Sequence, residues 1–183
     1  TTSAAYSSIC EHWREPRNTE WRPQARFFNS LLNPKRIASM KPDAGWKMHK
    51  TILLADDEEM VLQVFTAMLE HLGYRVVCGR NGAEAFGIFR KNPNAIDLVL
   101  TDYYMPEMSG ADLARSIRRL GSDVPIVLIT GLGFDLPGGL ISSINIARMV
   151  MKPIDMNSMA EVIRSALDSR TGNRLNTNAR TDG

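Results

Sequence analysis

Five short apolar runs recur along the middle of the chain, and a polar stretch follows each. They lie at Thr51–Ala55, Tyr74–Cys78, Ile96–Thr101, Ile126–Ile129 and Ile146–Met151. Runs of this length that are almost continuously apolar are typical of strands buried on both faces, as in parallel sheets. The pattern therefore predicts a five-stranded parallel sheet. On this basis Cys78 is expected to be a small core residue.

Apolar residues at helical spacing fill the intervals between these runs. The predicted helices are Glu58–His71, Gly82–Asn92, Gly110–Leu120 and Met156–Leu167. A further helix near Leu136–Ile144 is expected to be short and mobile, because Pro137-Gly138-Gly139 lies inside it. Five strands that alternate with five helices predict an α/β fold, a doubly wound parallel sheet with right-handed crossovers.

The composition is that of a globular protein, with 44% apolar and 23% charged residues. No stretch approaches the ~18 apolar residues of a membrane span, and no signal peptide is visible, so we expect a cytoplasmic protein without membrane contact. The charge is divided unevenly. Residues 1–50 carry nine basic and four acidic side chains, whereas residues 51–168 carry ten and fifteen. An acidic central region argues against direct nucleic-acid binding.

The flanking segments differ from this central region. Residues 1–48 contain three tryptophans but no sustained periodicity, and we interpret them as a linker or N-terminal extension, mostly disordered. Nucleic-acid binding by this basic segment is the weaker alternative. Residues 169–183 are polar and are expected to form a disordered tail. The folded domain is predicted at residues 50–168.

Acidic residues follow two of the predicted strands. Asp56 and Asp57 come after the first run, and Asp102 after the third. Ligands on parallel sheets bind at the carboxyl ends of the strands, where these carboxylates would repel one another without a cation. A hard divalent cation such as Mg²⁺ fits oxygen ligands. With Thr130 after the fourth run and Lys152 after the fifth, the pattern indicates a phosphoryl-accepting site.

These residues, in this order, resemble the receiver domain of two-component response regulators, over about residues 50–168 of the chain. The matching positions are Asp56-Asp57, Asp102 with Met105-Pro106 and Gly110, Thr130, and Lys152-Pro153. A generic nucleotide-binding domain is disfavoured, because no glycine-rich phosphate loop follows the first strand.

The resemblance implies a flavodoxin-like receiver fold in which Asp102 accepts a phosphoryl group from a kinase phosphohistidine. It also implies that Asp102 and Asp57 bind Mg²⁺ directly, that Asp56 binds mainly through water, and that the backbone carbonyl of Tyr104 adds an oxygen. The partner would be a sensor histidine kinase or a phosphotransfer domain, and a downstream protein target is also possible within such a relay.

For the remaining residues, the resemblance implies that Lys152 pairs with a phosphoryl oxygen. The Thr130 hydroxyl would donate to another phosphoryl oxygen. The Lys152-Pro153 bond is expected to be cis, as in that family. Met149 departs from the family pattern, since an aromatic switch residue is usual there, which puts a two-position switch in doubt. Met60 and Leu62 fall opposite the core positions of the first helix, on the face where the family docks its kinases.

The sequence leaves two questions about the protein open. The domain could be a stand-alone regulator or the C-terminal receiver of a hybrid sensor kinase. Thr130-Gly131 and the Lys-Pro-Ile sequence resemble receivers of hybrid kinases, but residues 1–48 do not resemble the ATP-binding domain that would precede such a receiver. It could also be a phosphorylation-independent protein-binding module, although the full set of site residues argues against this. A small-molecule phosphatase is disfavoured because Tyr104 occupies the position of the second carboxylate, so no enzyme activity beyond autodephosphorylation is expected.

Overall fold

The sheet has five parallel strands in the order β2-β1-β3-β4-β5. This computed structural model describes residues 50–131 and 144–178, with side chains of the last helix described as far as residue 169. The strands are β1 (Thr51–Ala55), β2 (Arg75–Gly79), β3 (Leu98–Asp102), β4 (Ile126–Thr130) and β5 (Arg148–Met151). This order is that of a flavodoxin-like doubly wound sheet, so the predicted fold class is confirmed.

Four α-helices lie in the described part of the chain. They are α1 (Glu59–His71), α2 (Gly82–Lys91), α3 (Gly110–Arg119) and α4 (Met156–Asn178), and a short 3₁₀ helix covers Pro93–Ala95. Asn81 and Ser109 cap α2 and α3, because their side-chain oxygens accept backbone N–H groups of the first turn. The helix predicted near Leu136–Ile144 falls outside the described residues, except for the buried Ile144.

The core has two layers because side chains alternate between the faces of a strand. Along β1, Ile52 and Leu54 belong to a cluster that includes residues of α1 and α4. Leu53 and Ala55 point the other way, into a cluster with α2 and α3. The helices therefore cover both faces, and every residue of β3 and β4 is buried.

The outer strands are less covered than their apolar sequences suggest. Each edge strand has one neighbour, so part of its surface stays open to solvent. Met149 and Met151 of β5 are exposed, and so is Cys78 of β2. The prediction that Cys78 is a core residue is therefore wrong. A run of apolar residues does not indicate whether its strand is central or at an edge.

Leu62 is also placed differently from the prediction. Met60 is exposed as expected, but Leu62 is buried in the same cluster as Ile154 and Met156. The chain after β5 thus covers more of α1 than its own periodicity indicates. Burial of this kind depends on contacts between distant parts of the sequence.

The last helix is longer than its apolar pattern. It was expected to end at Leu167, before a disordered tail at residues 169–183, but α4 continues to Asn178. Adding a residue to an existing helix needs no new nucleus, and no proline interrupts this segment. The helix is thus drawn past the predicted end of the folded domain at residue 168, residues 179–183 lie outside the described part, and the disordered tail stays a prediction. No helix in that part is long and apolar enough to span a membrane.

Gly110 provides the sharpest steric test of the fold. A Cβ at Gly110 would overlap the carbonyl oxygen of Asp102, whereas a Cβ at Gly87, inside α2, would meet nothing within 4 Å. We expect Gly110→Ala to lower the free energy of unfolding by about 2 kcal/mol through overpacking. Gly87→Ala should raise it by about 0.5–1 kcal/mol, because alanine is the better helix former. Urea unfolding of both variants measures the difference; equal effects would contradict the close packing at Gly110.

Candidate functional site

Four candidate residues meet at the carboxyl edge of the sheet. Asp56 follows β1, Asp102 is the last residue of β3, Thr130 is the last residue of β4, and Lys152 follows β5. Parallel strands end at the same edge, so residues far apart in sequence become neighbours there. Asp56, Asp102 and Thr130 are all buried.

The ammonium group of Lys152 lies between two carboxylates. Its Nζ donates a hydrogen bond to Oδ2 of Asp56 at 2.9 Å and lies 3.0 Å from Oδ1 of Asp102. The Lys152 backbone is held as well, since its N–H donates to the Thr130 carbonyl at 2.7 Å. The Lys152-Pro153 bond is cis, as predicted. One cation thus joins the ends of three strands.

Backbone groups fix the remaining carboxylate oxygens. Oδ1 of Asp56 accepts the N–H of Glu58 at 2.9 Å. Oδ2 of Asp102 accepts the N–H of Tyr104 at 3.1 Å. These donors belong to the loops that follow β1 and β3, so both carboxylates are oriented locally as well as by Lys152. The sequence reasoning missed these two contacts, because a backbone donor has no characteristic residue type.

Burial and charge act on Asp102 in opposite directions. Burial raises the pKa of the Asp102 carboxyl, Lys152 lowers it, and the neighbouring Asp56 raises it again; the net shift is upward from 3.8. Burial alone would lower the pKa of Lys152, but attraction to Asp56 and Asp102 outweighs this, so that pKa is raised. Lys152 is therefore charged at neutral pH. The ionised form of Asp102 is less favourable in the folded protein than in water, because the carboxylate is buried.

The other candidate residues are arranged more loosely. The Thr130 hydroxyl donates to the Gly131 carbonyl at 3.5 Å, the limit of a hydrogen bond. Asp57 is exposed, whereas the neighbouring Asp56 is buried. The Tyr104 side chain is exposed too, with its ring 4.7 Å from that of Tyr103 in an edge-on arrangement. The site is therefore built around Lys152, with Asp57 at its margin.

No group of three or more acidic, histidine or cysteine side chains is arranged to hold a metal ion within the described residues. Asp56 and Asp102 nevertheless share a cation, since both approach the Lys152 ammonium. Carboxylate and carbonyl oxygens are the ligands that Mg²⁺ prefers, and this edge of the sheet supplies both. The oxygen atoms at this edge therefore suit a hard divalent cation. In this structure the ammonium group of Lys152 pairs with the two carboxylates.

The raised pKa of Asp102 has a consequence for stability. The unfolded chain ionises more readily at Asp102 than the folded protein does, so the charged side chain favours unfolding at neutral pH, and this effect fades as the pH falls towards 3.8. In metal-free buffer we expect Asp102→Asn to raise the Tm by a few degrees at pH 7, with a smaller gain at lower pH. Thermal unfolding followed by circular dichroism measures both.

Asp112 is the matched control for this substitution. Its pKa is lowered by hydrogen bonds from Ser109 and Arg115, so the environment favours its charge. Asp112→Asn should therefore not raise the Tm. A lower Tm for Asp102→Asn at pH 7 would mean that attraction to Lys152 outweighs the burial of the carboxylate.

The chain is similar in sequence to several known proteins. The probable transcriptional regulator ycf27 of Porphyra purpurea is 36% identical over 129 residues, 69% of this chain and 50% of that protein. The autoinducer 1 sensor kinase/phosphatase LuxN of Vibrio harveyi is 27% identical over 159 residues, 86% of this chain and 17% of that protein. The chain thus spans half or less of the length of these two relatives.

A solved structure shows the same fold. The crystal structure of a response regulator receiver domain protein from Clostridium thermocellum superposes with a TM-score of 0.58 and 29% sequence identity, covering 67% of this chain and 97% of the other. The family model described as the response regulator receiver domain matches residues 52–164, inside the predicted range 50–168. With the fold, the order of the strands and this match in agreement, the chain belongs to the family of response regulator receiver domains of two-component systems.

Proposed function

We propose that Asp102 accepts a phosphoryl group from the phosphohistidine of a sensor histidine kinase or a phosphotransfer domain. One observation carries the proposal: the Lys152 ammonium lies within 3.0 Å of carboxylate oxygens of both Asp56 and Asp102 at the carboxyl edge of the sheet. Phosphoryl transfer depends chiefly on a well-positioned nucleophile and on neutralised oxygen charges. In this proposal the Asp102 carboxylate is the positioned nucleophile, and the Lys152 ammonium group neutralises oxygen charge.

In this mechanism an oxygen of the Asp102 carboxylate attacks the phosphorus atom. A new O–P bond forms as the N–P bond of the phosphohistidine breaks, and the released imidazole nitrogen keeps the electron pair and takes up a proton. The Tyr104 N–H holds the second carboxylate oxygen during the attack. Lys152 pairs with one phosphoryl oxygen, and the Thr130 hydroxyl donates to another.

Mg²⁺ belongs to the same proposal. The residues that would hold it are Asp102, Asp57 and Asp56, the last mainly through water, with the backbone carbonyl of Tyr104. When bound, the ion supplies charge neutralisation for the phosphoryl oxygens. The close approach of Asp56 and Asp102 to one ammonium group supports this part of the site. The exposed Asp57 is the ligand least prepared for it.

For the protein as a whole, we favour a C-terminal receiver of a hybrid sensor kinase over a stand-alone regulator. The similarity to the sensor kinase/phosphatase LuxN supports this, because it spans 159 residues and so extends beyond the residues 52–164 of the family match. The match to the probable transcriptional regulator ycf27 covers 50% of that protein. We propose no direct nucleic-acid contact for this domain. Its cytoplasmic location stays a prediction.

A phosphorylation-independent binding module is the alternative, and the structure favours it less. Loss of Lys152 or of either buried carboxylate would have suggested such a module. All three are present and paired with one another. Formation of a phosphoryl adduct on Asp102 separates the two possibilities.

The phosphoacceptor role is tested by intact mass spectrometry after incubation with acetyl phosphate. We expect a single phosphoryl adduct that needs Mg²⁺ and is absent from Asp102→Asn, because that variant lacks the nucleophilic carboxylate. Asp168→Asn, an exposed position on α4, should form the adduct like the wild type. Absence of an adduct, with Mg²⁺ binding shown separately by calorimetry, would favour the binding module.

Removing the shared cation gives a second prediction. Lys152→Gln leaves Asp56 and Asp102 buried without a counter-ion, which should cost about 3 kcal/mol of unfolding free energy. Adding Asp102→Asn removes one of the two repelling charges and should restore more free energy than the same substitution gains in the wild type, as a double-mutant cycle in urea would show. Lys152→Gln should also slow adduct formation. Additive effects of the two substitutions would contradict the direct coupling described here.

A further inference from the structure

A cleft of about 480 Å³ lies beside β2, at the end of the sheet opposite the candidate phosphorylation site. Its apolar lining includes Tyr74, Val76, Val77, Ile88 and Ile96. Pockets that bind organic groups fall in the range of roughly 300–1,000 Å³, so this cleft is large enough for an aromatic side chain. Val77, on the edge strand β2, is 37% exposed there.

The chain enters the sheet at the mouth of this cleft. Thr51 lines the cleft, and the residue before it is fixed by a compact set of contacts. The Lys50 ammonium lies 2.6 Å from Oδ1 of Asp97, whose Oδ2 accepts the Thr51 N–H at 2.9 Å. The Lys50 carbonyl accepts the Arg75 N–H at 2.9 Å. The point from which the preceding segment departs is therefore set by the fold.

The segment that precedes Lys50 has the chemistry to fill the cleft. Trp46 is five residues before Thr51, and an extended chain of that length spans about 17 Å. Tryptophan buries the largest apolar surface of any side chain while needing a partner only for its one N–H group. Lys47 is next in sequence, and Glu70 lies on the cleft lining. The basic charge of residues 1–50 also complements the acidic charge of residues 51–168.

We propose that Trp46 packs into the β2 cleft of its own chain, so that residues 44–49 cover the end of the sheet opposite Asp102. The proposal departs from the linker interpretation of residues 1–48 for this short stretch alone. It is independent of phosphoryl transfer, because the cleft and the site lie at opposite ends of the strands. Its function would be to fix the orientation of the domain relative to whatever precedes it.

The tryptophan distribution makes the proposal directly measurable. The three tryptophans of the chain are Trp13, Trp21 and Trp46, so Trp13→Phe with Trp21→Phe leaves Trp46 as the sole emitter. We expect its emission to be blue-shifted from that of the urea-unfolded chain, with several-fold weaker quenching by acrylamide. Val77→Asp in this background should shift the emission to the red and increase quenching, because a carboxylate then lies against the indole.

Met149→Asp is the matched control, since Met149 is also 37% exposed but belongs to β5 at the other edge of the sheet. It should leave the emission and the quenching of Trp46 unchanged. Emission and quenching equal to those of the unfolded chain would overturn the proposal. So would equal effects of the two substitutions. If the protection of Trp46 from acrylamide disappears on dilution of the protein, the proposal would also be overturned, because the cleft would then bind a second copy of the chain.

A second measurement does not rely on the stability of Val77→Asp. Trp46→Ala leaves every residue of the described sheet and helices unchanged, so the domain should fold normally. Hydrogen exchange of the backbone amides at residues 74–78 and 92–97 should be several-fold faster in this variant than in the wild type, because the cleft loses its cover. Unchanged exchange at both segments would overturn the proposal.

Discussion

The ion pairing of Lys152 with Asp56 and Asp102 is the interaction on which the site depends. Two carboxylates brought together in a poorly hydrated place repel each other, and each loses solvation. One ammonium group offsets both effects, at 2.9 Å from one carboxylate and 3.0 Å from the other. The sheet order makes this possible, since β1 and β3 are adjacent and Lys152 reaches them from β5, across β4.

That pairing leaves an imbalance between burial and charge at Asp102. Asp102 has a raised pKa despite its cation, because burial outweighs the attraction of Lys152. The same imbalance lowers the stability of the folded domain, a common exchange at functional sites. Gly110 adds a steric requirement, because only a residue without Cβ leaves room for the Asp102 carbonyl.

The two ends of the parallel strands carry different chemical groups. Charged groups gather at the carboxyl ends, where Asp102 lies. At the amino ends, the Lys50–Asp97 pair holds the residue before β1, and an apolar cleft lies along β2. Because the strands run parallel through a buried core, these ends are on opposite sides of the sheet. Attachment to a longer protein can therefore be accommodated without blocking access to Asp102.

The sequence by itself determined the class of fold, the five strands and most helix positions, because periodicity and turn residues are local properties. It also indicated Asp56, Asp102, Thr130 and Lys152, since residues at strand ends share an edge in any parallel sheet. Tertiary structure decided what depends on neighbours: the exposure of Cys78 on an edge strand and the burial of Leu62. It also decided that Lys152 binds both carboxylates while Asp57 is exposed, because side-chain pairing across strands is set by distances that no single segment encodes.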